Sequence, residues 1–200
     1  PILYVINCSG GGLRSACFTM NILQELNKQF DYQLMKKTLF ISGASGGMLG
    51  AAYFRELKDN DRISINNKFY VNQISQDLLN PLFSSFVSRD LVGPVQKFTY
   101  NNYEYVKDRG YAFELELNEN TNNILDKKIE DYKLLEQQAK IPFTFFNSVI
   151  SRDARRMIIA SNPARFLMKL PNTNSIDAVD FISYFNHLEA GKLKIGRAHV

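Results

Sequence analysis

The chain opens on an apolar run, Ile2-Leu3-Tyr4-Val5-Ile6, that gives way to Asn7-Cys8-Ser9 and then three glycines. An apolar run closed by turn residues predicts a strand over 2–6 followed by a tight loop. From Ser15 the period changes. Ala16, Thr19, Met20, Ile22, Leu23 and Leu26 recur at helical spacing, with Asn21, Gln24, Glu25 and Lys28 between them. The same sequence of elements then repeats: a short buried strand at Thr38-Leu39-Phe40-Ile41, a turn from Ser42 to Gly47, and a helix from Met48 to Leu57 whose Gly50, Ala51 and Ala52 suit close packing. Two successive strand-turn-helix units predict neighbouring parallel strands joined by right-handed crossovers.

Residues 60–125 lose this clarity. Asn and aromatic residues are frequent, Pro81, Gly93 and Pro94 interrupt the pattern, and Leu78, Leu79, Leu82, Phe83, Phe86 and Val87 form an apolar face. This stretch reads as an insertion of short helices and loops, either partly covering a site as a lid or buried as core. Residues 126–139 read as a charged surface helix. Phe143 to Ile150 and Met157 to Ala160 read as two strands around a turn at Arg152-Asp153-Ala154-Arg155, and residues 176–188 resume helical spacing. The expectation is an α/β fold with a central, mainly parallel sheet and helices on both faces. No stretch approaches the ~18 uninterrupted apolar residues of a spanning helix.

Composition narrows the classes. At 200 residues, 45% hydrophobic and 22% charged, the chain is neither a disordered tail, a collagen-like fibre nor a disulfide-knotted miniprotein. Its net charge of +4 is spread along the sequence, so nucleic acid is not the expected partner, whereas an anionic lipid surface is compatible. Cys8 and Cys17 belong to no CxxC or Cys/His cluster and read as reduced thiols with no zinc. Pro1 leads directly into strand-like sequence without an initiator Met. The final hexapeptide Ile195-Gly196-Arg197-Ala198-His199-Val200 matches one translated frame of a common sequencing adapter, so the native sequence is expected to stop near Lys194.

Two glycine-rich turns carry the candidate chemistry. Gly43-Ala44-Ser45-Gly46-Gly47 fits GxSxG between a predicted strand and helix. In that pattern the serine sits on a sharp strained turn, and Gly43, Gly46 and Gly47 must be small for the backbone to clear its neighbours. Ser9-Gly10-Gly11-Gly12-Leu13-Arg14 lies at the end of the first strand, where unobstructed N–H groups and the following helix make an anion cradle. If the two strands are neighbours, both turns open on one sheet edge. A dinucleotide loop is the main competitor: residues 10–15 nearly fit GxGxxG, with Ser15 for the third glycine, but the next strand ends in Ser42-Gly43 without the acid that motif requires. A GxxxxGK[ST] phosphate loop fails for lack of its lysine.

The blocks NCSGGGLRSA and ISGASGGMLGAAYFREL together resemble the patatin-like phospholipases, in particular large bacterial members, and SGGGxR is also similar to the cytosolic group-IV phospholipases. The resemblance covers residues 2–58 and, more loosely, the VISRDARRMIIAS hairpin. It implies a serine lipid acyl hydrolase acting on a lipid or phospholipid, with peripheral membrane contact and no cofactor or metal. Ser45 maps to the nucleophile, Gly10, Gly11 and Gly12 to the oxyanion hole, and Arg14 to a basic position that supports the loop, meets an anionic head group or forms a structural salt bridge. The family's base is an aspartate in Asp-Gly-Gly, Asp-Gly-Ala or Asp-Ala-Gly, none of which is present. Asp177-Ala178-Val179 lacks the glycine and falls in a helical pattern. The resemblance therefore implies a partial domain over 1–194, truncated at both ends, whose base lies downstream.

A histidine base would have to be His187, which reads as an ordinary helix residue. A nucleotide-binding domain and a catalytically inactive lipid-binding relative remain alternatives. Sequencing the gene across codons 194 and 195 is expected to show the reading frame diverging from IGRAHV; clean reads through Val200 would overturn the adapter reading.

Overall fold

Both strand-turn-helix units form in the computed structural model, which describes residues 2–59, 65–100, 103–185 and 189–195. Strand β1 (Tyr4–Cys8) runs into helix α1 (Gly12–Gln29). A short helix α2 (Leu34–Lys37) leads to β2 (Thr38–Gly43) and helix α3 (Ser45–Asp59). β1 and β2 pair in parallel, from Tyr4 opposite Thr38 to Cys8 opposite Gly43. Each long helix starts three residues before the apolar period becomes visible, at Gly12 instead of Ser15 and at Ser45 instead of Met48. In α3 those first residues include Gly46 and Gly47, which are buried yet carry no side chain to mark the period.

The sheet has five strands in the order β1-β2-β5-β6-β7, with β5 (Phe143–Val149), β6 (Arg156–Ile159) and β7 (Ala178–Asp180). β1, β2 and β5 are parallel, β6 returns antiparallel to β5 through the expected hairpin, and β7 pairs parallel to β6. The mainly parallel α/β sheet is therefore present. One face, through Cys8, Ile41 and Phe146, shares a buried cluster with Ala16, Met20 and Leu23 of α1 and Met48, Tyr53 and Phe54 of α3. The opposite face packs Phe145, Ile158 and Ala178 against Ala160 and Ala164 of the irregular segment after β6, which includes a 3₁₀ turn at Arg165–Leu167. Val5 stays 56% exposed.

Two predicted helices are corrected. Residues 126–139 form a bridge from Lys128 to Lys194, a 3₁₀ turn at Ile129–Tyr132 and a short helix α7 (Lys133–Gln137). Ile129, Tyr132 and Glu136 of this segment are buried, so it is not a solvated surface helix. Glu136 is turned inward, toward Arg55 of α3. Residues 176–188 give a buried strand, β7, followed by α8 (Phe181–Tyr184). Three apolar-to-acidic residues are too few to distinguish period 2 from period 3.6, and pairing with β6 decides between them. His187 and residues 196–200 lie outside the described residues, while Ile195 is fully buried and donates its N–H to the Lys127 carbonyl.

The intervening segment holds α4 (Lys68–Ile74), α5 (Leu79–Ser85), a π-helical turn (Phe86–Leu91), a β3–β4 hairpin (Lys97–Tyr100 and Tyr103–Val106) and α6 (Arg109–Asn120). The hairpin was not legible in the sequence. The segment is anchored where Gln24 donates to the Ile65 and Asn67 carbonyls and the Tyr53 hydroxyl donates to Gln73 at 2.6 Å. These anchors lie about three turns into α1 and two into α3, roughly 18 and 12 Å from the helix starts. Leu79, Phe83, Val87 and Leu91 form an exposed row along α5 and the π turn, while Leu78 is buried. No helix among the described residues is long and apolar enough to cross a membrane.

The far end of α3 carries a buried charge network. Arg55 is 2% exposed. It donates to Glu136 at 3.2 Å, to Thr144 at the start of β5 and to the adjacent Glu56 at 3.3 Å, and its guanidinium lies over the Tyr132 ring. Lys127 donates to Glu56 at 2.6 Å, and Ser161 and Asn162 donate to Glu136. Burial pushes the Glu136 carboxyl above the usual range, and Arg55, Ser161 and Asn162 oppose that push. Truncating one member of such a network leaves a buried charge unpaired. Arg55→Ala is expected to lower unfolding free energy by about 3–5 kcal/mol, measured by urea denaturation; a loss below about 1 kcal/mol would show that the network is not a determinant of stability.

Candidate active site

Ser45 is the first residue of α3 and has φ +52°. A side chain in the left-handed region is sterically costly, of order 1–3 kcal/mol, and persists only where surrounding packing imposes it. Here the chain must turn from β2 into α3 within two residues, and both sides of the turn are fixed. Ala44 donates its N–H to the Cys8 carbonyl at 3.3 Å, and Asn147 on β5 donates its side-chain amide to the Gly43 carbonyl at 3.2 Å. The turn leaves Ser45 exposed at the carboxyl edge of the parallel strands. Among the described residues its hydroxyl has no hydrogen-bond partner.

The glycine loop closes on this serine. A Cβ placed on Gly10 would stand 3.3 Å from Ser45 Cβ and 3.9 Å from its Oγ, so the missing side chain at position 10 leaves open the space beside the hydroxyl. Gly11 (φ +152°) and Gly12 (φ +61°) take conformations that carry the chain straight from β1 into α1. All three glycines are exposed. The N–H groups at the start of a helix have no intrahelical carbonyl to bind, and both α1 and α3 present their positive ends to this edge. The two motifs are thus brought together, and their N–H groups and helix dipoles favour an anion beside Ser45 Oγ.

The other glycines act through packing. A Cβ on Gly46 would overlap the Gly12 carbonyl oxygen, one on Gly47 would overlap the Ser9 carbonyl, and one on Gly43 would stand 2.6 Å from the Cys8 carbonyl. The first turn of α3 therefore lies directly on the loop backbone. Gly50 continues the contact one turn on, against the Ala16 carbonyl.

Ser15, which stands where a dinucleotide loop has its third glycine, donates its hydroxyl to the Ser9 carbonyl at 2.6 Å and ties the loop's two ends together. Ser15 and Asn147 are the contributors that sequence reading missed. For Ser15 the signal was its departure from GxGxxG, whereas Asn147 lies about a hundred residues from the motif and left none.

Arg14 is exposed on the first turn of α1 and, among the described residues, forms no ion pair. Of its readings, a structural salt bridge has no counterpart among those residues. Cys8 is buried and its thiol is pushed up to about 11 by burial; Cys17 is raised for the same reason. Both are free cysteines, and neither has the lowered pKa of a reactive thiol.

Asp177 immediately precedes β7 and pairs with Arg156 at 3.2 Å. Buried Asp180 accepts from the Ala164 N–H and the Ser183 hydroxyl. β7 is three strands from β2, about 14 Å at normal strand spacing, so neither carboxylate reaches Ser45. Among the described residues no group of three or more Asp, Glu, His or Cys could hold a metal ion.

Comparison with protein-family models, with curated proteins and with solved structures returns no match.

The two kinds of glycine should separate experimentally. Gly46→Ala forces a backbone overlap and is expected to abolish soluble folded protein. Gly12→Ala adds a methyl with nothing within 4 Å and is expected to cost only about 1–2 kcal/mol of left-handed strain. Circular dichroism and thermal melts compare the two; equal tolerance would overturn the packing account.

Proposed function

We propose that this chain is the nucleophile-bearing part of a serine lipid acyl hydrolase of the patatin-like kind. The observation that carries the reading is the exposed Ser45 at φ +52° with the Gly10 loop beside its hydroxyl. A strained serine at a strand-to-helix turn is the geometry that presents a nucleophile, and N–H donors next to it suit the oxyanion of an acyl transfer.

In this reading Ser45 Oγ attacks the ester carbonyl carbon. The carbonyl oxygen becomes an oxyanion held by N–H groups of the Gly10–Gly12 loop, and the alcohol portion leaves. Water then attacks the acyl-serine and releases the fatty acid. An aspartate outside the described residues takes the serine proton and passes it to the departing alcohol, then takes a proton from the attacking water and returns it to Ser45 Oγ as the fatty acid leaves. Arg14, exposed at the mouth and without an ion pair among the described residues, suits the negative head group of a phospholipid. The exposed row Leu79, Phe83, Val87 and Leu91 suits peripheral contact with a lipid surface, and the insertion that bears it would be the lid.

One observation favours a second reading: Ser45 Oγ has no acceptor among the described residues, as in a relative that binds lipid without turning it over. A fluorophosphonate probe separates the two. Full-length protein is expected to be labelled at Ser45, and Ser45→Ala should lose labelling and at least about a thousandfold of ester hydrolysis. Unlabelled protein that still binds lipid would favour the inactive relative.

An aspartate base also fixes the pH profile. A free carboxylate titrates near 3.9 and a histidine near 6.5. Turnover is expected to hold between about pH 6 and 7.5 and to survive His187→Ala; a half-loss near pH 6.5, abolished with His187, would require the histidine-dependent esterase instead.

A further inference from the structure

The pleat and register place Asn147 at a particular point of the sheet. Phe146 is opposite Gly43, the last residue of β2, so Asn147 stands one residue beyond β2's end, level with Ala44, and opposite Ile158 on its other side. Its side chain is half-buried and turns toward β2. Nδ2 lies 3.0 Å from Ser42 Oγ, 3.2 Å from the Gly43 carbonyl oxygen and 3.4 Å from the Phe145 carbonyl oxygen. Two of these three partners are carbonyls and can only accept. The amide must therefore present its NH₂ group here, because the flipped orientation would set oxygen against two oxygens.

Left-handed Ser45 is only two residues beyond Gly43, and strain of that kind relaxes unless both flanks of the turn are held. One flank is held by β1, where the Cys8 carbonyl accepts from Ala44. On the other side the β2–β5 ladder ends at the Gly43–Phe146 pair, and the Asn147 side chain extends the hold by reaching back to Ser42 Oγ and the Gly43 carbonyl together. Resting on the hydrolase reading of Ser45, we infer that Asn147 is a positioning residue: its amide fixes the end of β2 and so sets the direction from which the Ser45 hydroxyl meets a carbonyl. It touches no reacting atom, and its effect is exerted through the Gly43 carbonyl and Ser42.

Asn147→Asp isolates the donor role. It preserves size and shape while facing the two carbonyls with an acceptor. Asn147→Ala removes the contact with less repulsion and serves if the aspartate variant folds poorly. Four quantities are measured on full-length wild type and both variants: kcat and KM on a soluble ester, the rate of fluorophosphonate labelling at Ser45, and amide hydrogen exchange.

Misplacing a nucleophile by about 1 Å costs roughly a hundredfold, so kcat and labelling are expected to fall about a hundredfold in Asn147→Asp and about tenfold in Asn147→Ala, with KM changed less than about twofold. Exchange at the Ala44 amide should quicken about tenfold or more, while Met20 and Leu23 in α1 keep their protection. Unchanged kcat and unchanged Ala44 exchange in both variants would overturn the inference. So would exchange that quickens equally in α1 and at the turn, which is general destabilisation. Wild type that is never labelled would instead overturn the hydrolase reading, and the Ala44 exchange comparison would still decide whether Asn147 holds the turn.

Discussion

Backbone lies against backbone where the first turns of α1 and α3 meet, and this contact organises the molecule. The carbonyls of Ser9, Gly12 and Ala16 fill the places where Gly47, Gly46 and Gly50 would otherwise carry side chains. Dispersion falls off steeply with a small radial gap, so such contact is effective only when no Cβ intervenes. Because α1 follows β1 and α3 follows β2, seating one helix on the other also fixes how the two parallel strands align. The convergence of the glycine loop with Ser45 is a consequence of the same contact. The motif glycines thus serve packing first, and the same contact brings Gly10 beside Ser45.

The other end of α3 is fixed by opposite means. Where the first turn is held by the absence of side chains, Arg55 near the last turn reaches Glu136, Thr144 and Tyr132 on three other elements. Buried ion pairs of this kind add little net stability over an apolar equivalent, because desolvation offsets attraction. Their unmatched arrangements are expensive, however, and Arg55 with Glu56 and Glu136 permits few alternatives to the observed seating of α3. A helix held at both ends can sustain a strained residue at its start, which is what φ +52° at Ser45 demands.

Electrostatics at the sheet edge depend on this frame. Two helices direct their positive ends to the same place, and exposed Arg14 adds a cation without a carboxylate partner among the described residues. The acids nearest in kind, Asp177 and Asp180, are turned to structural work on β7, one against Arg156 and the other capping Ala164 and Ser183. The edge is therefore suited to hold negative charge as it develops, and the proposed hydrolase draws its proton acceptor from outside the described residues.

Much of this architecture was legible along the chain. Strand, glycine turn and helix could be read twice, as could the β5–β6 hairpin, because each depends on side chains within a few positions of one another and on glycine's tolerance of positive φ. Where short-range pattern and long-range pairing disagreed, the pattern misled. The charged stretch at 126–139 looks solvated until Arg55, 81 residues away, buries Glu136, and residues 178–180 look helical until β6 pairs with them. Asn147 gave no signal at all, since its partners Ser42 and Gly43 stand more than a hundred residues earlier. The sequence by itself determined the local turns, the order of elements and the residue types at the candidate site. Only the tertiary structure decided that Gly10 lies beside Ser45, that Asn147 reaches the end of β2, and which acids are already engaged. Local geometry is set by neighbours a few residues apart, whereas burial, strain and charge pairing depend on which distant segments meet.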